Sequence, residues 1–213
     1  MLEGAGSFLS LNLPPVDPQR RCAWAEGSPE LRAYHDHEWG RPVTDDAPIF
    51  EKLCLEGFQA GLSWQIVLRK RASIRTAFAG FDLPAVAAFG GADITRLLED
   101  PGIIRNRAKI EAAIANAQAT LAIQEAGDSL AALVWRYEPP PRPEGAAGIA
   151  DLPATTTESE ALSKELRRRR FRFVGPTTVY AAMQALGVVN DHLAGCDWRT
   201  ICEAERAATA RPR

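Results

Sequence analysis

Apolar residues recur at the helical period through almost the whole chain, and no stretch alternates over strand length between hairpin turns. That pattern commits the chain to an all-α fold with short loops. Ile49, Phe50, Leu53, Cys54 and Gly57 follow the i, i+3, i+4 rule. So do Trp64, Val67 and Leu68, then Ile110, Ile114, Ala117 and Leu121, then Leu130, Leu133, Val134 and Tyr137. Thr157 with Glu160 fits a capping box opening a helix that carries Leu162 and Leu166. A last helix is expected from about residue 177 to 186, stopping at Gly187. Residues 138–155, rich in Pro and Gly, should cross the surface as an irregular loop.

A chain of 213 residues with 46% apolar content can bury a full-sized core as one domain. We place it at 21–198, with a flexible extension at 1–20 and a tail at 199–213. No apolar run approaches the ~18 residues of a membrane helix. The absence of a basic segment before "SFLSLNL" argues against a signal peptide, so the protein is expected in the cytoplasm with Cys22, Cys54, Cys196 and Cys202 reduced. A net charge of −2 excludes a globally basic nucleic-acid binder. A local basic face stays open, because phosphate contacts act over about a Debye length.

"YHDHEWG", residues 34–40, packs two imidazoles and two carboxylates into one short stretch. Twelve residues separate His35 from Cys22, and three separate His192 from Cys196. The second pair shares a face if its stretch is helical. Together the four make a Cys2His2 set, the usual composition of a closed structural zinc site. A metal across them would clip the two ends of the fold and close a long loop. His37 is a rival ligand, although two residues from His35 on a helix it would point elsewhere. Taken singly, each of the four reads as a buried thiol or a hydrogen-bonded imidazole.

"LLEDPGIIRNRAKIEAAIANA", residues 97–117, joins two helices through a Pro-Gly turn, with Asp93 or a neighbour capping the first and Asn106 starting the second. Such a turn presents backbone N–H groups to a phosphate oxygen, and Arg105, Arg107 and Lys109 add positive charge. It looks like a helix-hairpin-helix, although Ile104 stands where the usual second glycine would. A plain helical hairpin with a solvated rim explains it as well. Two further basic runs, residues 69–71 and 167–173, end other helices. In "CLEGFQAGLSW", residues 54–64, Glu56 sits in an apolar segment, where a carboxylate must be paired, hydrogen-bonded or functional. Trp24, Tyr34, Trp39 and Trp64 offer faces that can stack on a planar ligand.

"RCAW", "AYHDHEWG", "LCLEGFQAGLSW", "PGIIRNRAKIEAAIANA" and "FRFVGPTTVYAAMQALGVVNDH" resemble, in order, the 3-methyladenine DNA glycosylase I family, from about Arg21 to Cys196. The resemblance implies a helix-hairpin-helix glycosylase fold with a structural zinc held by Cys22, His35, His192 and Cys196. It implies a base pocket of Trp24, Tyr34, Glu56 and Trp64, with Glu56 as the catalytic-site carboxylate and with Asp36 and His37 structural. Leu31 replaces a further pocket aromatic found in some members. The implied reaction is hydrolysis of the N-glycosidic bond of 3-methyladenine in alkylated duplex DNA, a base-excision repair step in which water attacks the sugar. Gly61 and Leu62 would fill the gap left in the duplex. Backbone amides of Gly102, Ile103 and Ile104, with Arg105 beside them, would hold phosphates, and the protein would act as a monomer. Two rivals remain at this point: a non-catalytic zinc-clipped DNA-binding module, and a metallohydrolase that uses Asp36 or His37 as a ligand.

Overall fold

The computed structural model describes residues 19–142 and 144–213; residues 1–18 of the expected extension lie outside them. Among the described residues there is no strand. The helices are α1 (Pro29–His37), α2 (Asp46–Gln59), α3 (Trp64–Ala77), α4 (Leu83–Ala87), α5 (Gly91–Glu99), α6 (Arg107–Glu125), α7 (Leu130–Trp135), α8 (Thr157–Arg168), α9 (Pro176–Ala185) and α10 (Trp198–Ala208). None is long and apolar enough to cross a membrane.

Central position explains composition. α2 packs against α3, α6, α7 and α9. Its residues 53–58 are accordingly buried without a break, Glu56 included. A helix enclosed on all sides loses the polar face of a surface helix. α6 carries alanines at 112, 113, 117 and 119, all buried, and packs closely on α2, α4 and α5.

Local chemistry sets the helix ends. Ser28 caps α1 by accepting from Leu31 N–H at 3.2 Å, with Pro29 opening the helix. α9 stops as expected. Gly187 takes φ +68, Val188 N–H donates to Met183 O, and Gly187 N–H donates to Gln184 O. A side chain at Gly187 would also strike the Arg41 backbone at 2.5 Å. The α8 cap lies one residue earlier than expected: Thr156 and Ser159 exchange bonds, because the threonine that leaves the loop first is the one with extended backbone. Residues after the expected last helix form a further helix rather than a bare tail. α10 buries Trp198, Cys202 and Arg206, the last donating to Val188 O and Glu138. Its apolar spacing, Trp198–Cys202, is short, so the pattern is easily overlooked. The loop at 138–155 does lie over the surface, tied down by Ala194 N–H to Ala146 O and by Arg199 to Arg142 O.

A second, smaller apolar cluster sits apart from the main core. It gathers Cys22, Tyr34, Trp39, Cys196, Trp198 and Cys202, with Trp24 and Trp64 packed against it. Both candidate sites lie here.

Candidate functional site

The thiol–imidazole group is assembled from three segments. Cys22 precedes the short 3-10 turn Ala23–Gly27, His35 lies on α1, and His192 and Cys196 lie in the loop between α9 and α10. One ligand atom from each lies within 4.8 Å of all the others, and all four residues are buried. His192 and Cys196 converge through a turn closed by Cys196 N–H to Leu193 O, not through the expected helical stretch. Remote nitrogens orient both rings. His35 Nδ1–H donates to Asp36 at 2.8 Å, and Arg21 grips that carboxylate at 2.8 and 2.9 Å. His192 Nε2–H donates to Trp39 O at 3.2 Å. Each ring therefore turns its lone pair inward, to Sγ of Cys196 at 3.4 Å in both cases. Such outer partners are what metal-binding imidazoles require. A hydrogen bond from Cys22, aided by the two imidazoles, holds the Cys196 thiol far below its ordinary range. The same bond, with burial, pushes Cys22 up. His37 is exposed and outside the group.

Gly40, the last residue of "YHDHEWG", has φ +82. A Cβ there would fall 2.8 Å from His192 Nε2. Only glycine combines that backbone with that approach.

The aromatic box adjoins the clip. Tyr34 and Trp64 have ring centroids 5.2 Å apart, and Trp24 stands 6.3 Å from Tyr34. Trp64 enters because α3 begins there, directly after the 61–63 turn. Glu56 projects from α2 and is 6% exposed, with Lys52 one helical turn away. Burial pushes its carboxyl up to about 7, against the pull of Lys52. The Trp64 Nε1–H is likewise buried with no acceptor. Burial also raises the Tyr34 hydroxyl well above its usual value, with the Glu56 charge adding to it. Glu38 is not part of the box: Arg71 binds both its oxygens, at 2.5 and 2.7 Å.

Lys52 is the side chain of the box that sequence reasoning missed. Its Nζ donates to Tyr34 Oη at 3.0 Å and lies 4.5 Å from the Trp64 ring centre. The signal was available, since Lys52 stands four residues before Glu56 on one helix face.

The DNA-facing candidates are only partly as expected. Gly61 (φ +79) and Leu62, 40% exposed, form the tip of the turn before Trp64. Asn106 caps α6 by accepting from Lys109 N–H, and Asp93 accepts from Gly90 N–H ahead of α5. Between these helices, Gly102 N–H is taken by the Asp100 carboxylate at 2.7 Å, and Ile103 N–H reaches Asp100 O at 3.4 Å. Ile103 is buried, Ile104 packs on the core and Arg105 is exposed. Lys109 does not add to a surface charge: its Nζ turns inward to Phe58 O at 2.9 Å and Ala60 O at 2.6 Å, capping the end of α2. Residues 69–71 lie within α3, not at its end, with Lys70 donating to Pro101 O and Arg71 to Glu38. Arg168 and Arg169 pair with Glu165.

A groove of about 790 Å³ runs elsewhere, between Phe89, Gln118 and Arg168. None of the expected site residues lines it. The buried polar groups of the box carry more weight than its volume, because a donor buried without an acceptor, as at Trp64 Nε1, costs free energy that a ligand can recover.

Fold and box together describe a helical protein in which a buried carboxylate lies against a cluster of aromatic rings. A family model described as methyladenine glycosylase matches residues 24–200. DNA-3-methyladenine glycosylase 1 of Escherichia coli (strain K12) is 48% identical over 177 residues, 83% of this chain and 95% of that protein. A crystal structure of 3-methyladenine DNA glycosylase I matches with TM-score 0.80 at 48% identity, covering 84% of this chain and 98% of that one. The Staphylococcus aureus 3-methyladenine DNA glycosylase I, solved for its recognition of 3-methyladenine, matches with TM-score 0.80 at 34% identity, covering 86% and 98%. The chain belongs to the methyladenine glycosylase family.

Proposed function

We propose that this protein is a monofunctional DNA-3-methyladenine glycosylase acting in base-excision repair. The observation that carries the reading is Glu56: a buried carboxylate pushed up to about 7 by that burial, beside Tyr34 and an orphaned Trp64 N–H. Alkylation at N3 makes adenine cationic. A buried carboxylate favours a cation and accepts from the adenine amino edge, while Trp64 covers the flat face. The base reaches the box only after leaving the duplex stack. Leu62, exposed at the turn before Trp64, takes the vacated space.

The bond to the sugar then breaks toward the base. Its electron pair neutralises the cation, so the leaving group needs little acid catalysis. Water adds to the sugar carbon and gives its proton to solvent, leaving a free base and an abasic site. Glu56 serves by reading and holding the base.

The α5–α6 hairpin is the backbone grip of a helix-hairpin-helix protein. Asp100 already occupies the Gly102 amide, so the phosphate contact falls to the amides of Ile104 and Arg105 and to the Arg105 side chain. Zinc fits the clip: two thiols and two oriented imidazoles are the donor set of a closed structural site, and four protein ligands leave no open position. The metal, when bound, supplies a cross-link between α1 and the loop before α10. A metallohydrolase reading has no support, since Asp36 is engaged by Arg21 and His37 points away.

The test is incubation with methylated duplex DNA and chromatography of the released bases, with Glu56→Gln alongside. Release of 3-methyladenine by the wild type and its sharp reduction in the folded mutant are expected. A folded, metal-loaded wild type that releases nothing would leave a DNA-binding module.

A further inference from the structure

Lys52 occupies the place a cationic base needs. It projects from α2 four residues before Glu56. Its ammonium lies over two aromatic faces, 4.5 Å from the Trp64 ring centre and 4.7 Å from that of Tyr34, and donates to Tyr34 Oη at 3.0 Å. Two rings, a hydroxyl and a carboxylate are also the elements that would receive a positively charged purine. On its other side Lys52 lines a cleft of about 250 Å³ shared with Glu38, Glu51 and Arg71. Arg71 neutralises Glu38, and Arg75 donates to Glu51 at 2.7 Å, so the cleft is polar and able to solvate an ammonium.

We propose that Lys52 is a resident cation of the base box: it fills the aromatic site in the free protein, swings into the neighbouring cleft when a cationic base enters, and returns when that base becomes neutral. The inference rests on the reading of the box as a base site.

Charge accounting makes the exchange selective. A cationic base replaces the charge that Lys52 removes, so Glu56 keeps a counter-ion throughout. A neutral purine that expels Lys52 leaves the Glu56 carboxylate buried without one, or must force it to take up a proton. Cleavage converts the bound base from the first kind to the second, so the returning ammonium favours release of product. The ammonium carries a desolvation cost where it stands: burial pulls it down to about 8, while Glu56 and Glu38 hold it up. Lys52 is thus a specificity and release residue, not one that acts on the reacting bond.

The test uses the intact chain with Lys52→Met, which removes the charge but keeps a flexible apolar side chain, and Lys52→Arg, which keeps the charge. Binding of free 3-methyladenine and of adenine at pH 7.5 is followed by tryptophan fluorescence, because Trp24 and Trp64 line the box. Lys52→Met should bind both neutral bases about tenfold tighter than wild type. It should also show a turnover rate that falls behind its single-turnover rate, as retained product would cause. Lys52→Arg should stay near wild type in both. Equal affinities in wild type and Lys52→Met, or weaker binding by the mutant, would overturn the role of Lys52 alone. Failure of every form to bind either base would overturn the reading of the box itself.

Discussion

Two polar clusters lie side by side in one aromatic pocket of this protein, and they are finished to different degrees. In the clip every ring nitrogen and sulfur has a partner, and even the outer carboxylate of Asp36 is held by Arg21. In the box Trp64 Nε1 has none, and the Glu56 carboxyl is pushed up by burial against the pull of Lys52. Both clusters draw on "YHDHEWG": His35 faces the clip and Tyr34, next to it, faces the box. Satisfied burial suits a cluster that stabilises the fold. An unsatisfied donor beside aromatic faces suits a ligand site, because binding can supply the missing bond.

The strongest way to break that contrast is to damage the clip. Cys196→Ala should abolish metal uptake and cost about 5 kcal/mol, or roughly 10–20 °C in Tm for a chain this size. Metal analysis with thermal unfolding measures both, and an unchanged Tm would mean that the clip is ornamental. Glu56→Gln should do the opposite, lowering base release by ~100-fold with no loss of Tm at pH 8. The sign follows from the raised carboxyl. Across the window from its ordinary value of 4.5 to about 7 the folded state holds the extra proton, so stability falls as pH rises and the cost is complete above 7. Removing the charge therefore removes a cost.

Gly40→Ala separates backbone from ligand. It leaves all four donors in place but forces a Cβ onto His192, and should cost about 2–3 kcal/mol along with metal affinity. Thermal unfolding at saturating zinc reads the first, and competition with a chelator the second. The pH profile then sharpens the box. Glu56 reads the base as an anion, so kcat/KM should fall about tenfold per unit below pH 7, while kcat holds to lower pH because a bound cation lowers the carboxyl. A flat kcat/KM down to pH 5.5 would remove Glu56 from the recognition step. The smallest effect belongs to the hairpin: Arg105→Ala should reduce the salt slope of DNA binding by about 1 and weaken all sequences alike.

Much of this was legible in the linear chain. Helical period is a local property, so α2, α3, α6, α8 and α9 were expected close to where they lie. The stop at Gly187 and the Asn106 cap rest on one residue's own chemistry. The four donors of the clip were named by residue type and are brought together by the fold, and the rings the resemblance assigns to the box lie against one another. The partners of the basic residues were not legible. Lys109 and Arg71, expected among surface charges, turn inward to groups 51 and 33 residues away, Phe58 O and Glu38.

The sequence by itself determined which segments are helical and which side chains can bind a metal or a flat base, because both depend on residue type and near spacing. Only the tertiary structure decided which buried polar groups are satisfied. That depends on packing α1, α2 and α3 so that Arg71 reaches Glu38, Lys52 reaches Tyr34 and no acceptor reaches Trp64 Nε1. A hydrogen bond acts over about 3 Å, and no spacing along a chain says which distant atoms will come that close.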